Sequence, residues 1–293
     1  MTAVLEQPSP AAVESSDGML VFDVGMNNGD DTAHYLSRGC RVVAVEANPA
    51  LAAAAEERFA DEVEGGRLKV LALGLGPEEG VLPFYVASNH EHSSFDRAMA
   101  SRFGNTVERV EVPVRTLASV LAEFGLPDFI KVDIEGFDTE VLRSLADFLR
   151  DTGQPPPKYA SAEGHSLDPL FLLKGMGYTR FKCVNQLRLN AGDRSAAPSN
   201  LKTAWGELSS AVPGKVAELS KKVRRRLGLA AAKRGWVDGE HPRGSSGPFG
   251  EETSGEWRTA EEVAYEWLHW KTGHEHRGPL RSPGWFDFHA KAG

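Results

Sequence analysis

The sequence of 293 residues has only two cysteines, no long hydrophobic run and no excess of basic residues. Its cysteines, Cys40 and Cys183, favour two reduced thiols over a disulfide. No stretch reaches the roughly 18 apolar residues that a membrane span needs. Residues 1–17 also lack the basic start and apolar centre of a signal peptide. We therefore expect a cytoplasmic protein with a disordered N-terminal tail (1–17) and no transmembrane segment.

The charge balance argues against nucleic acid as a partner. Lys and Arg number 33 against 41 Asp and Glu, which gives a net charge of −8. Proteins that bind nucleic acid through its phosphates usually present a broadly positive surface. The one strongly basic run, residues 221–226, is either a solvated helix face or a contact for an anionic substrate or membrane. Small or neutral substrates are a better match, and a homodimer is compatible with the sequence.

The alternation of predicted strands and helices from Met19 onward indicates an α/β protein with a mostly parallel sheet. We assign the core to residues 18–189. Beyond it, Gly, Ser, Pro and charged residues rise and the alternation stops, so 190–282 is predicted to be a partly helical insertion that acts as a substrate lid. The last segment, 283–293, is predicted to pair antiparallel with a strand at Tyr178–Val184 and complete the sheet.

A glycine-bracketed turn follows the first apolar strand and leads into a capped helix. Gly25 and Gly29 allow the backbone to approach a ligand closely. Glu46 ends the second strand, 21 residues after Gly25. In doubly wound folds an acid at about this separation bonds a ribose hydroxyl, so the pattern predicts an adenosine-containing ligand. The turn lacks the G-x-G-x-x-G fingerprint, which disfavours a dehydrogenase.

Four segments in order resemble the FkbM family of S-adenosylmethionine-dependent methyltransferases. They are Asp23–Gly29, Glu46–Pro49, Val112–Leu117 and, the most diagnostic, Lys131–Asp138 with its K-V-D-I-E-G sequence. The resemblance covers about 21–184. It implies a Rossmann-like class I methyltransferase fold with a mostly parallel seven-stranded sheet and an antiparallel terminal hairpin.

The resemblance also implies a cofactor, S-adenosylmethionine, and a set of residues that bind it. Asp23, Gly25, Asn27 and Gly29 would hold the methionine portion. Glu46 would bind the ribose, and Leu73 and Gly74 would lie near the adenine. The activity implied is methyl transfer to a hydroxyl of a sugar or secondary metabolite. N-methyl or carboxyl methyl transfer to a small molecule, and a cofactor-binding protein without catalysis, stay open as alternatives.

Candidate catalytic residues follow two neighbouring strands. Asp133 and Glu135 come after one strand, Glu163 and His165 after the next, and open α/β sheets bind their ligands at these strand ends. A methyltransferase must take the proton of its acceptor, so any of the four could be the base. Alternatively, the carboxylates cap turns and the histidine is merely exposed. A Mg²⁺ or Mn²⁺ site is the second alternative, but no ligand spacing supports it and no metal is assigned.

Two further groups of residues are candidates for the acceptor side. The polar loop Ser88–Asn105, with His90 and His92, either contacts a small-molecule or glycan acceptor or is simply exposed. The tryptophans of the C-terminal part could stack on a sugar, but core packing is the favoured interpretation. They are Trp257, Trp267, Trp270 and Trp285.

Overall fold

The computed structural model describes residues 18–186, 246–253, 255–275 and 285–293. The basic run 221–226, the tail 1–17 and most of the predicted insertion 190–282 lie outside these residues. Among the helices in the described ranges, none combines the length and the apolar character that a bilayer span requires.

The core is a seven-stranded sheet in which six strands are parallel and one is antiparallel. From edge to edge the strands are Leu68–Leu71 (β3), Arg41–Val45 (β2), Leu20–Val24 (β1), Phe129–Val132 (β7), Tyr159–Glu163 (β8), Phe286–Ala292 (β10) and Tyr178–Asn185 (β9). The chain leaves β1 in one direction for β2 and β3 and later returns to its other side for β7. This reversal creates a crevice at the carboxyl ends of β1 and β7, where doubly wound sheets bind ligands.

The antiparallel end of the sheet confirms the predicted terminal hairpin. Phe288 of β10 is opposite Cys183 of β9 and Ala162 of β8, so the last strand lies between the two. The observed sheet therefore has the predicted class I methyltransferase architecture. Cys40 is buried just before β2, and no disulfide joins the two described cysteines.

A second, three-stranded sheet lies beside the main one, and the apolar run Leu68–Leu73, whose pattern predicts a single strand, ends as a strand at Leu71. The strands of the second sheet are Gly74–Leu75 (β4), Gly80–Ala87 (β5) and Val107–Arg115 (β6), in the order β4-β6-β5. The strand β3 ends at Leu71, and the Leu73 N–H turns back to the Leu71 carbonyl at 2.9 Å. The chain thus leaves the main sheet two residues before the apolar run ends and enters the second sheet at Gly74.

Helices cover both faces of the main sheet. Their bounds are Asp30–Ser37 (α1), Pro49–Arg58 (α2), Ala60–Glu64 (α3), Arg97–Ala100 (α4), Leu117–Phe124 (α5), Asp138–Thr152 (α6), Asp168–Gly175 (α7) and Ala260–Glu275 (α8). The caps follow the sequence: Asn48 accepts a hydrogen bond from the Ala50 N–H at the start of α2, and Gly153 takes the left-handed conformation after α6. Both residue types are preferred at these positions.

The alternation of side chains along β1 divides the core into two clusters. Phe22 faces the cluster that includes Leu142 and Phe288, whereas Val21 faces the one with Tyr35 and Phe129. All of these side chains are buried. Because apolar residues occupy both faces of β1, it is a central strand of the kind typical of parallel sheets.

Three of the four predicted tryptophans, Trp257, Trp267 and Trp270, pack in or against the core, as the favoured interpretation predicted. The indole N–H of Trp267 in α8 donates to the Gly164 carbonyl at 2.9 Å, and the side chain is buried. Trp257 stacks against Tyr159, and Trp270 lies beside Phe286. The described part of the predicted insertion thus packs on the sheet through these rings.

Candidate functional site

A cleft opens at the carboxyl ends of β1, β2 and β7, and the small sheet forms its far wall. It encloses about 710 Å³ of space, including its open mouth. Val24, Val45, Leu51, Leu73 and Phe84 give it an apolar lining. Polar groups converge on it from the glycine turn, from Glu46 and from the polar loop. A largely apolar cleft with a few convergent polar groups is typical of small-molecule sites.

The glycine turn is held against the end of β7 by direct backbone contact. Gly25 has a φ of +86°, and a Cβ there would lie 1.7 Å from the Asp133 carbonyl oxygen. Gly29 has a φ of +78°, and its Cβ would lie 2.8 Å from the Phe59 ring. These two positions therefore require glycine for conformation and for space.

Glu46 anchors the same turn from the neighbouring strand. Its carboxylate accepts hydrogen bonds from the Asn27 and Asn48 backbone N–H groups, each at 2.7 Å. Burial raises the pKa of Glu46 to about 7, against the effect of these two hydrogen bonds. Asn27, at a φ of +54°, carries an Oδ1 that is buried without a hydrogen-bond partner among the described residues. Both side chains line the cleft, and their oxygen atoms can accept further hydrogen bonds from a ligand.

The predicted cofactor residues separate into two groups. Gly25, Asn27, Glu46, Leu73 and Gly74 line the cleft. Asp23 and Gly29 lie outside its lining in the described part of the chain. Asp23 is fully buried beneath the turn and accepts a hydrogen bond from the Thr32 hydroxyl at 2.6 Å. Burial raises the pKa of Asp23. We infer that Asp23 and Gly29 shape the turn.

Lys131 in β7 links this turn to the catalytic candidates, a role that sequence analysis missed. Its ammonium group lies 3.4 Å from Asp23, 3.2 Å from Asp31 and 3.5 Å from Asp133, measured to carboxylate oxygens. Burial by itself would lower the pKa of Lys131, but these carboxylates outweigh it and raise the pKa well above its usual value. A lysine inside an apolar strand with acids on both sides is the signal that could have revealed the network.

The four predicted catalytic residues meet at the rim of the cleft. Asp133 and Glu135 line it. Ligand atoms of Glu135, Glu163 and His165 lie within 4.8 Å of one another, and His165 Nε2 is 2.8 Å from a Glu163 oxygen. Burial, with the charges of Asp133 and Glu135, raises the pKa of Glu163 to about 10. We refer to Asp133, Glu135 and Glu163 as the acidic rim.

The turn that carries Glu135 is held by groups that sequence analysis also missed. Glu135 has a φ of +46°. The carboxylate of Asp138 accepts hydrogen bonds from the backbone N–H groups of Ile134 and Gly136, and burial raises its pKa to about 6. Arg102 donates to the Glu135 carboxylate at 2.6 Å. The conformation of this turn is thus set from two sides.

The polar loop Ser88–Asn105 folds onto this turn and forms part of the cleft. The buried Ser94 hydroxyl donates to the Glu135 carbonyl at 2.9 Å. His90 and Ser93 line the cleft. The loop is therefore part of the cleft wall, and its contact with an acceptor stays a prediction.

Residues 23–155 match the family model described as the methyltransferase FkbM domain. A comparison with curated proteins gives no significant match. The sheet order and this match agree with each other, and both agree with the resemblance seen in the sequence.

Solved structures of other methyltransferases show distant similarity. A methyltransferase FkbM from Methylobacillus flagellatus is 17% identical with a TM-score of 0.37; the match covers 56% of this chain and 39% of that one. A putative sarcosine dimethylglycine methyltransferase from Galdieria sulphuraria is 10% identical with a TM-score of 0.38, covering 94% and 78%. The chain thus spans well under half of the first relative. Similarity this low identifies no substrate.

Proposed function

We propose, from the match of residues 23–155 to the methyltransferase FkbM domain, that this protein transfers the methyl group of S-adenosylmethionine to a hydroxyl of a sugar or secondary metabolite. The family match over residues 23–155 supports the coarser function, S-adenosylmethionine-dependent methyl transfer. The hydroxyl acceptor and the roles of individual residues are the proposal.

The cleft has the features that this cofactor needs. Glu46 would accept hydrogen bonds from the ribose hydroxyls, because each carboxylate oxygen has a lone pair beyond its present bond. The turn Gly25–Asn27 would hold the methionine portion, where the Asn27 Oδ1 lacks a partner among the described residues. Leu73 and Gly74 would pack near the adenine. When bound, the cofactor supplies a methyl group on a positively charged sulfur.

The acidic rim supports a positively charged ligand at this position. The pKa values of Glu135 and Glu163 are raised, in each case by burial first and by neighbouring carboxylates next. Such acids are crowded, and a positive charge nearby would relieve their repulsion. Electrostatic attraction would therefore favour a sulfonium ion at the rim.

The contact between His165 and Glu163 carries the proposal of a hydroxyl acceptor. A hydroxyl must lose its proton during methyl transfer, and a positioned base can take it. His165 Nε2 lies 2.8 Å from a Glu163 oxygen that has no hydrogen-bond partner among the described residues. With Glu163 ionised and the imidazole turned into line, the Nε2–H would donate to this oxygen, and Nδ1 would be left to accept the proton of the acceptor. The acid would then orient the imidazole, as in catalytic histidine–carboxylate pairs.

The protonation of this pair sets the pH dependence of the reaction. Because the pKa of Glu163 is raised to about 10, this carboxyl group holds its proton at neutral pH. Glu163 can accept the N–H of His165 only when that proton leaves, which is easier once a cation is bound nearby. We expect kcat/KM to rise with pH through the neutral and mildly alkaline range.

Replacement of the proposed base tests this function. We expect His165→Gln to lower kcat/KM with a hydroxyl acceptor by ~10²-fold or more while the Kd of S-adenosylmethionine stays unchanged. His269→Gln is the matched control, since His269 is an exposed histidine of α8. The measurement is release of S-adenosylhomocysteine with panels of alcohols, amines and carboxylic acids.

The outcomes separate the alternatives. Turnover of amines or acids with no turnover of alcohols would replace the hydroxyl acceptor with N-methyl or carboxyl methyl transfer. Tight cofactor binding without any turnover would favour a non-catalytic protein. Loss of turnover in excess EDTA would favour a divalent cation at Glu135, Glu163 and His165 over the proposed base.

The predicted insertion 190–282 enters the proposal as a lid over the acceptor. Its described part from 246 onward is anchored to the core, because the Ser246 and Gly247 N–H groups donate to the buried Asp31 carboxylate at 3.0 Å. These hydrogen bonds would fix the C-terminal end of a lid to the core. Deletion of 190–240 would then be expected to raise the KM of the acceptor and leave the Kd of the cofactor unchanged.

A further inference from the structure

Phe103, in the polar loop, combines an unusual backbone with an unusual exposure. Its side chain is 84% exposed, the highest value among the large hydrophobic residues described as exposed. Its φ is +58° and its ψ 22°, a left-handed conformation that is rare for a bulky residue. Residues held in this way cluster at functional sites, where the surrounding structure enforces them.

Hydrogen bonds within the loop enforce this arrangement. The Asn105 Oδ1 accepts from the Ser88 hydroxyl at 3.2 Å and from the Asn89 N–H at 3.3 Å. The Asn105 amide nitrogen lies 2.9 Å from His92 Nδ1. The His92 ring in turn lies 5.1 Å from the Phe103 ring, between centroids. Phe103 therefore projects from a segment that is fixed by hydrogen bonds.

Two connections place this aromatic pair at the mouth of the cleft. Arg102, the neighbour of Phe103, donates to Glu135, which lines the cleft. His92 lies between Glu91 and Ser93, which line it as well. The same stretch contains His90, whose Nδ1 is buried without a hydrogen-bond partner among the described residues. A polar atom of this kind in a cleft calls for a ligand group.

We propose that Phe103 and His92 form a stacking platform for a pyranose ring of the methyl acceptor, with His90 bonding one of its hydroxyls. A pyranose presents C–H groups on its face and hydroxyls around its edge, which matches an aromatic face surrounded by polar groups. A flat aromatic acceptor with a single hydroxyl would match the Phe103 face, but that hydroxyl is the one to be methylated, so none would remain to pair with His90 Nδ1. The proposal rests on the hydroxyl methyltransferase function and narrows its acceptor.

Ligand binding by NMR tests the platform without the need for turnover. The protein is saturated with S-adenosylhomocysteine, and methyl α-D-glucopyranoside, methyl α-D-mannopyranoside and methyl α-L-rhamnopyranoside are titrated separately, with 2-naphthol as the aromatic probe. We expect saturation transfer to ring C–H protons of at least one pyranoside. Phe103→Gly should weaken this binding by at least tenfold.

Glycine is chosen because it distinguishes recognition from folding. It accepts a positive φ without strain, so Phe103→Gly should leave Tm unchanged or raise it by ~2–4 °C. The Kd of S-adenosylhomocysteine should stay the same. Phe171→Ala is the matched control, because Phe171 is an exposed phenylalanine of α7, and it should bind the pyranoside as the wild type does.

Each result decides between interpretations. Unchanged pyranoside binding in Phe103→Gly would overturn the platform, and so would a clear loss of Tm, which would make the residue structural. Binding of 2-naphthol with no binding of any pyranoside would overturn the sugar acceptor. If S-adenosylhomocysteine binds but none of the four probes does, the platform is overturned while the cofactor site stands; failure of the cofactor itself to bind would reject the proposed function.

Discussion

The two halves that we propose for the cleft, one for the cofactor and one for the acceptor, differ in the groups that form them. The cofactor half is the Gly25–Gly29 turn with Glu46, where backbone groups and one carboxylate come from two adjacent strands. The acceptor half is made of side chains from separate parts of the chain: the acidic rim, His165 and the polar loop. Backbone geometry requires particular residue types at fixed spacing, whereas a surface of side chains can be assembled in many ways. The first half is therefore the easier one to read in a sequence.

The largest effect is expected where the two halves meet through backbone alone. In Gly25→Ala the new Cβ would lie 1.7 Å from the Asp133 carbonyl oxygen, at a φ of +86°. Both the turn and the end of β7 would have to move, because neither atom belongs to a flexible side chain. We expect loss of cofactor binding and destabilisation by ~4 kcal/mol or more, measured by urea unfolding and calorimetric titration.

Gly153→Ala controls for the conformational part of this effect. Gly153 also has a positive φ, +66°, but a Cβ there would meet nothing within 4 Å. It should cost only ~1 kcal/mol and leave cofactor binding intact. Equal destabilisation by the two alanine variants would show that the close approach of the two halves has no importance beyond the glycine conformation.

The next largest effect is expected from removal of the Lys131 ammonium group, which lies between carboxylates of the two halves. Lys131→Met would leave Asp23 and Asp31 buried without the ammonium group that now lies within 3.4 Å of both. Removing one partner of a buried ion pair typically costs ~3–5 kcal/mol. We expect a loss of this size in the free energy of unfolding at pH 7 and a smaller loss at pH 4, where the carboxylates can take up protons.

Arg150→Met is the control for loss of a charge as such. Arg150 pairs with Asp147 and Asp151 on the exposed surface of α6, and exposed pairs contribute little. A similar loss in the two methionine variants, or no pH dependence in Lys131→Met, would mean that Lys131 does not compensate the buried acids.

A smaller effect of opposite sign is expected in the acceptor half. The pKa of Glu163 is raised from 4.5 to about 10 by burial and neighbouring acids. Its contribution to stability is therefore fully present below pH 4.5 and is lost as pH rises toward 10, because the unfolded chain ionises first. Glu163→Gln removes this loss, so the variant should be more stable than the wild type at pH 9 by ~1–3 kcal/mol, and similar to it at pH 4.

Glu140→Gln, an exposed change on α6, should show no such gain at pH 9. A Glu163→Gln protein that is less stable than the wild type at pH 9 would contradict the raised pKa. A gain in stability together with a loss of turnover would show that the acceptor half keeps a destabilising acid for its function.

The fold and the glycine turn with its Glu46 contact could be predicted from local patterns. Alternating apolar strands and helices indicated the parallel sheet, and the antiparallel pairing of the last strand is confirmed. Gly25 and Glu46 were predicted as cleft residues because a tight turn and a ribose contact need those residue types at about that spacing, and both line the cleft. Such features depend on residues close together in sequence.

The remaining features depend on contacts between residues far apart in the chain. Such contacts produce no fixed spacing of residue types that a sequence pattern could reveal. Arg102 contacts Glu135 across 33 positions of the chain. Lys131 resembled an ordinary residue of a short apolar strand until its three acidic neighbours were brought together. The end of β3 at Leu71 could not be predicted either, because Leu73 continues the apolar pattern of the strand although the chain has already turned away.

The smallest expected effect compares two ligands that differ by one charge. S-adenosylmethionine carries a sulfonium charge that S-adenosylhomocysteine lacks, so it should lower the pKa of nearby acids and release protons when it binds. Binding linked to proton release becomes tighter as pH rises. With the pKa of Glu46 raised to about 7 and that of Glu135 also raised, the Kd of S-adenosylmethionine should fall by ~3–10-fold between pH 6 and 8, and that of S-adenosylhomocysteine by less. Calorimetry in buffers of different ionisation enthalpy measures the protons released, and equal release by both ligands would place the sulfonium away from the acidic rim.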